Sequence, residues 1–139
     1  MSRRLAREIA FQTIFQHDIG KNEPEPTLTN LAEENGLNQK DTQFARNLVM
    51  GTIAKLEELD QAIAECLHNW QLQRLAAVDR NILRLCAYEL LFCPEIPVAV
   101  AINEALELSK AFSSDESTKF LNGILDKLAH HSVHRGGDN

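Results

Sequence analysis

Arginine holds phosphate better than any other side chain, and three arginines open this sequence. Arg3, Arg4 and Arg7 stand in the first seven residues with no acid among them. On a helix, Arg3 and Arg7 are one turn apart and Arg4 lies beside them. A guanidinium fork binds phosphate oxygens in pairs and stacks on bases, so the trio suits RNA. Taken alone, it reads more simply as an ordinary solvated helix end, since basic clusters are common. A second group is Glu116-Ser117-Thr118-Lys119-Phe120, followed by Asn122 and Gly123. It places hydroxyls, a lysine and an aromatic at a helix start. Helix N-termini attract phosphate and an aromatic ring can stack an unpaired base. Phe120 is also a natural core residue, and both readings stay open.

Catalytic chemistry has less material. His17, His68, His130, His131 and His134 are scattered, with no nucleophile or acid partner beside them in sequence. The His-His-x-x-His stretch at 130–134 has weak metal-binding spacing and reads more simply as a polar tail. Cys66, Cys86 and Cys93 include no Cys-x-x-Cys pair and fall in apolar surroundings, which suits buried thiols in a reducing compartment. Glu57, Glu58 and Asp60 look like a solvated helix face. Arg84 and Glu89 interrupt an apolar helix, either as a buried pair that fixes packing or as groups facing a partner. No catalytic residue, metal ligand or cofactor site is assigned, and the chain is not expected to be an enzyme.

The elements that must carry these residues are helical. Leucine and alanine number 19 and 15, against nine isoleucines and five valines. Apolar spacing predicts a helix over 3–17, with Ser2 as its cap, and a break over 20–26, where Gly20, Pro24 and Pro26 fall. A short helix over 27–35 should stop at Gly36. Asn38 should cap one long helix reaching Leu67. Asp79 should cap a helix to Phe92 whose apolar residues surround it, hence a central one. Pro94 and Pro97 separate it from a helix over 98–112. Ser113 and Glu116 have capping-box spacing, so a last helix should begin there and fray after His130. The fold class is therefore all-α, a single compact domain of about six to seven helices. It occupies residues 1–130, and residues 131–139 are expected to form a disordered tail.

The 139 residues carry a formal charge of −6. That counts against nucleic acid until it is divided along the chain. Residues 1–21 sum to +2, residues 22–65 to −6 and residues 66–139 to −2. The acidity lies mainly in the middle, apart from the N-terminal arginines. No apolar run approaches the roughly 18 residues of a membrane span. The N-terminus lacks the apolar stretch of a secretory signal, so a cytoplasmic protein is expected.

Four segments together resemble the transcription antitermination factor NusB family. They are Arg3-Arg4-Leu5-Ala6-Arg7-Glu8, then Ile82-Leu83-Arg84-Leu85 with Tyr88-Glu89-Leu90, then Ile96-Pro97 with Val100-Ala101-Ile102-Asn103-Glu104-Ala105, and last Ser117 to Leu128. The resemblance spans about residues 3–129 and implies a NusB-like helical bundle without catalysis. It implies binding of boxA-containing single-stranded RNA from ribosomal RNA transcripts, jointly with the ribosomal protein NusE, within an antitermination complex on RNA polymerase. It places Arg3, Arg4, Arg7, Ser117, Lys119 and Phe120 at the RNA, and Asp79 and Glu116 towards NusE. Arg84, Glu89, Asn103 and Glu104 match architectural positions. A basic partner would supply the positive charge that this acidic chain lacks. Two alternatives are a protein-interaction module, for instance a homodimer hiding the arginines, and a domain related to that of ribosomal RNA cytosine methyltransferases. The absence of a glycine-rich cofactor loop and of a second domain speaks against the latter.

Overall fold

The computed structural model describes residues 2–68 and 71–137, with side chains over 3–68 and 71–131. All regular structure among them is helical, and it groups into two compact units, Met1–Ala54 and Lys55–Asn139. None of these helices is long and apolar enough to cross a membrane.

The first unit holds α1 (Ser2–Gly20), α2 (Pro24–Glu34) and α3 (Gln39–Ala54), each packed on the other two. Ala6, Ile9, Ala10, Phe11 and Ile14 of α1 are buried against Leu28 and Ala32 of α2 and Ala45, Leu48 and Val49 of α3. The expected Ser2 cap involves a side chain outside the described residues. Helix α1 runs three residues past His17, because polar side chains close its end. Lys21 takes a left-handed φ of 57° and its Nζ donates to the Asp18 carbonyl at 3.1 Å. The His17 ring meets the Asn22 carbonyl at 3.0 Å.

The break expected over residues 20–26 is shorter than its prolines suggested. Pro24 and Pro26 lie within the first turn of α2, where no N–H is needed for the helix ladder. The helix stops where glycine predicts. Gly36 has φ of +66°, its N–H donates to the Glu33 carbonyl, and the Leu37 N–H donates to Ala32 at 2.9 Å. These two bonds form a Schellman closure. Asn38 caps α3 as expected, its Oδ1 accepting from the Asp41 N–H at 2.8 Å.

The long helix expected from Asn38 to Leu67 is two helices. Helix α3 ends at Ala54, Lys55 leaves helical geometry at φ −105° and ψ 17°, and α4 (Leu56–Glu65) follows. Buried positions 48, 52, 59 and 63 keep three-and-four spacing across the break. With no proline or glycine at 55, periodicity carries no sign of the interruption.

The second unit contains α4, a 3₁₀ turn (Leu72–Arg74), α5 (Ala77–Phe92), α6 (Val98–Phe112) and α7 (Asp115–Gly137). Helix α5 is central and touches α4, α6 and α7. Ile82, Leu83, Leu85, Cys86, Ala87 and Leu90 are all buried, as expected of a helix apolar all round. It starts two residues before Asp79, and Ala76 precedes it without a side-chain cap. Asp79 is thus the third residue of the helix rather than its cap. Helix α7 continues past His130 to Gly137, with no proline to stop it.

Arg84 shows how the buried polar residues of α5 are satisfied. Its Nε and Nη2 donate to the two carboxylate oxygens of Asp60 at 2.7 and 2.9 Å, and its Nη1 to Asn81 Oδ1 at 3.2 Å. Asn81 Nδ2 donates to the Ala77 carbonyl at 2.8 Å. Asp60 therefore ties α4 to α5 and is not part of a solvated acidic face, while Glu57 and Glu58 are exposed. The Arg84 side chain is 8% exposed and that of Asp60 25%. Removing Asp60 strands a buried guanidinium, so D60A is expected to lower stability by about 3 kcal/mol, the low end for buried pairs. E57A should stay within about 0.5 kcal/mol of the parent. Urea denaturation of the two variants checks the contrast.

Candidate nucleic-acid and partner interface

The N-terminal arginines are not three equivalent free cations. Arg3 and Arg4 are exposed on the first turn of α1, whereas Arg7 is buried at 6% exposure. Phe44 of α3 lies beneath two of them. The Arg3 guanidinium stands 4.0 Å from its ring centroid and that of Arg7 5.2 Å. Both lie within the range of attraction between a cation and an aromatic face. Arg3 Nε also forms an ion pair with Asp41 Oδ1 at 3.6 Å. Helix spacing made the arginine cluster visible in the sequence, but the aromatic and acid below it come from another helix.

The second group gathers in the second unit around the start of α7. Arg74, Leu75, Ala76, Asp79, Glu116, Ser117 and Phe120 line an open recess of about 400 Å³. The expected Asp79, Glu116, Ser117 and Phe120 thus share one site. Lys119 is exposed on the same first turns, and Phe120 is half-buried. Arg74, Leu75 and Ala76 join the site with no signal in the sequence. They lie in a connector whose composition carries no pattern, and only the fold sets it against α7.

A hydroxyl network holds the recess in place. Asp79 is 7% exposed, and its Oδ1 and Oδ2 accept from the hydroxyls of Ser113 and Ser117 at 3.0 and 3.1 Å. The first turn of α5 favours this negative charge. The capping residue of α7 is Ser114, not Ser113, because the Ser117 N–H donates to Ser114 Oγ at 3.0 Å. Ser113 is thereby released to bond Asp79. Thr118 Oγ1 donates to the Ser114 carbonyl at 2.9 Å and lies 2.6 Å from Ser109 Oγ on α6. Both oxygens of Asp79 are committed inside the unit, and the exposed charged side chains lining the recess are Glu116 and Arg74, with Phe120 half-buried beside them.

The thiols are not poised for nucleophilic work. Cys66, Cys86 and Cys93 are free and buried. Burial pushes the Cys66 thiol up, Lys127 partly offsets that, and Glu65 adds to it. Such a thiol stays protonated at neutral pH. Among the described residues, no group of three or more metal-binding side chains comes together.

The sequence profile described as the NusB family matches residues 4–130. The chain belongs to the NusB family. It is 52% identical over 128 residues to the transcription antitermination protein NusB of Desulforamulus reducens, covering 92% of this chain and 90% of that one. Among solved structures it resembles T. maritima NusB with a TM-score of 0.84 at 38% identity, covering 94% of this chain and 91% of that one. It also resembles a chain in the crystal structure of antitermination factors NusB and NusE in complex with dsRNA. That match has a TM-score of 0.86 at 27% identity and covers 94% and 97% of the two chains. NusB-family membership agrees with the all-α architecture and places both residue groups inside the matched region, save Arg3, which lies one residue before it.

The capping assignment has a direct consequence. S114A should cost about 1 kcal/mol, the usual loss for a serine cap. It should speed amide hydrogen exchange at Ser117, because that N–H loses its acceptor. An unchanged melting temperature together with unchanged exchange at Ser117 would move the cap elsewhere.

Proposed function

We propose that this chain is an RNA-binding transcription antitermination factor. It binds boxA-containing single-stranded RNA of ribosomal RNA transcripts together with the ribosomal protein NusE, and helps RNA polymerase read through terminators. It acts by binding and assembly, without catalysis, in the cytoplasm. The observation that carries this reading is NusB-family membership over residues 4–130.

The two residue groups have different duties. Arg3 and Arg4 meet phosphate from the exposed start of α1. Arg7 is buried and shares the Phe44 ring with Arg3. Lys119 adds a phosphate contact at the start of α7, and Phe120 offers a face for a base. Ser117 contributes through its position, since its hydroxyl holds Asp79. Glu116 is exposed and suits a basic protein partner. Asp79 acts on that partner indirectly, by fixing the turn on which Glu116 stands. Phosphate contacts set register and base contacts set sequence preference.

The charge of −6 makes the partner matter. Phosphate binding is driven largely by counter-ion release, which needs local positive charge. Titration of boxA RNA should give weak binding to the isolated chain and much tighter binding with NusE present. Replacing Arg3 and Arg4 together with alanine should flatten the dependence of log K on log salt. The expected change is roughly 0.7 for each single-strand phosphate that the arginines had neutralised. No binding at low salt in either condition would overturn the reading.

A further inference from the structure

Arg3 is the exposed cation nearest the chain start for which the structure gives a defined internal partner. Three features of the first unit meet on it. Its guanidinium lies over the Phe44 ring, 4.0 Å from the centroid. Its side chain keeps 45% of its exposure. Its Nε faces Asp41 Oδ1 at 3.6 Å, close enough for attraction but beyond hydrogen-bond length.

Asp41 is a different kind of group from the solvated acids of the middle segment. Its side chain is only 8% exposed. It lies in the first turn of α3, where the helix N-terminus favours a negative charge, and its N–H is fixed by Asn38. The cap holds the backbone that carries this carboxylate next to Arg3. A phosphate that approaches Arg3 meets this negative charge at short range.

We propose that Asp41 is a built-in counter-ion that competes with RNA phosphate for Arg3 and thereby limits how strongly α1 binds RNA. Phe44 holds the guanidinium in reach of both competitors. The consequence is selectivity. An RNA that makes only backbone contacts gains little from Arg3, because the contact must displace or share Asp41. An RNA held by base contacts elsewhere overcomes the competition. The inference rests on the reading of Arg3 as an RNA contact.

The test is a salt titration of boxA RNA binding, with the ribosomal partner present, for the parent chain and for R3A, D41N, D41E and R3A/D41N. D41N removes the charge at nearly constant shape. It should tighten binding by about twofold to fivefold, the scale of a half-exposed ion pair, and steepen the salt slope by up to roughly 0.7. D41E keeps the charge and should retain the parent slope. In the R3A background the D41N gain should vanish. A polyuridine control should gain more from D41N than boxA does. If R3A weakens binding but D41N leaves affinity and slope unchanged, or if D41E behaves as D41N, the competition is refuted while the RNA contact stands. If R3A changes nothing, the RNA assignment of Arg3 falls and the proposal falls with it. Circular dichroism melts of each variant identify any loss that comes from unfolding, and the slope is read well below the lowest melting temperature.

Discussion

A polar side chain taken out of water must find a partner, and α5 carries four such residues through the middle of the second unit. Asp79, Asn81, Arg84 and Glu89 are all buried on a helix that is otherwise apolar. Leaving any one unsatisfied costs on the order of 1–3 kcal/mol, and more for a charge. The neighbouring elements are arranged to meet that demand. Asp60 brings α4 against Arg84. Ser113 and Ser117 bring the end of α6 and the first turn of α7 against Asp79. Apolar burial alone would let these helices slide along α5, since methyl groups pack in many registers. The hydrogen bonds select one register, and the recess beside α7 follows from it.

The first unit uses the same device nearer the surface. Arg3 and Arg7 come from α1, while Phe44 and Asp41 come from α3 one turn apart. The ring and the acid give a flexible, exposed cation a preferred position before any ligand arrives. Rotamer freedom given up in advance is not given up again on binding, so positioning of this kind favours affinity. The acid works in the opposite direction by offering the cation a competing anion. If Arg3 contacts RNA as proposed, that balance sets whether α1 favours any phosphate or only an RNA that also makes base contacts.

Much of this was legible in the sequence. The all-α class followed from leucine and alanine over β-branched residues. The stop at Gly36, the cap at Asn38 and the central position of α5 each followed from local chemistry. The arginine cluster and the Glu116–Phe120 group could be seen because their residues are neighbours on one helix. Most of what escaped shares one cause. Asp60 read as solvent-facing because its partner Arg84 lies on another helix. Phe44 carries no sign in the sequence of its role, because the guanidiniums above it come from α1. The break at Lys55 left the apolar period intact, and Ser113 and Ser114 are alike until Asp79 claims one of them. For Asp60, Phe44 and the two serines, the deciding contact is between segments far apart in the chain, and one-dimensional spacing does not record it.

Those contacts also change the meaning of the net charge. A value of −6 suggests a uniform repulsion of phosphate, yet several acids are occupied inside the protein. Asp41 faces Arg3, Asp60 faces Arg84, Glu25 binds Arg46 at 2.8 Å and Asp79 accepts two hydroxyls. An acid paired with a cation adds little long-range field beyond its partner, since the pair is a short dipole screened within about 10 Å at ordinary salt. The exposed groups then decide what approaches. Arg4 and Lys119 are exposed cations on two different helices, and Glu116 is an exposed acid three residues before Lys119. A chain built this way attracts phosphate only at chosen points and repels it elsewhere. Under the proposed function, such a surface fits weak binding to nucleic acid in general and a basic partner that strengthens it.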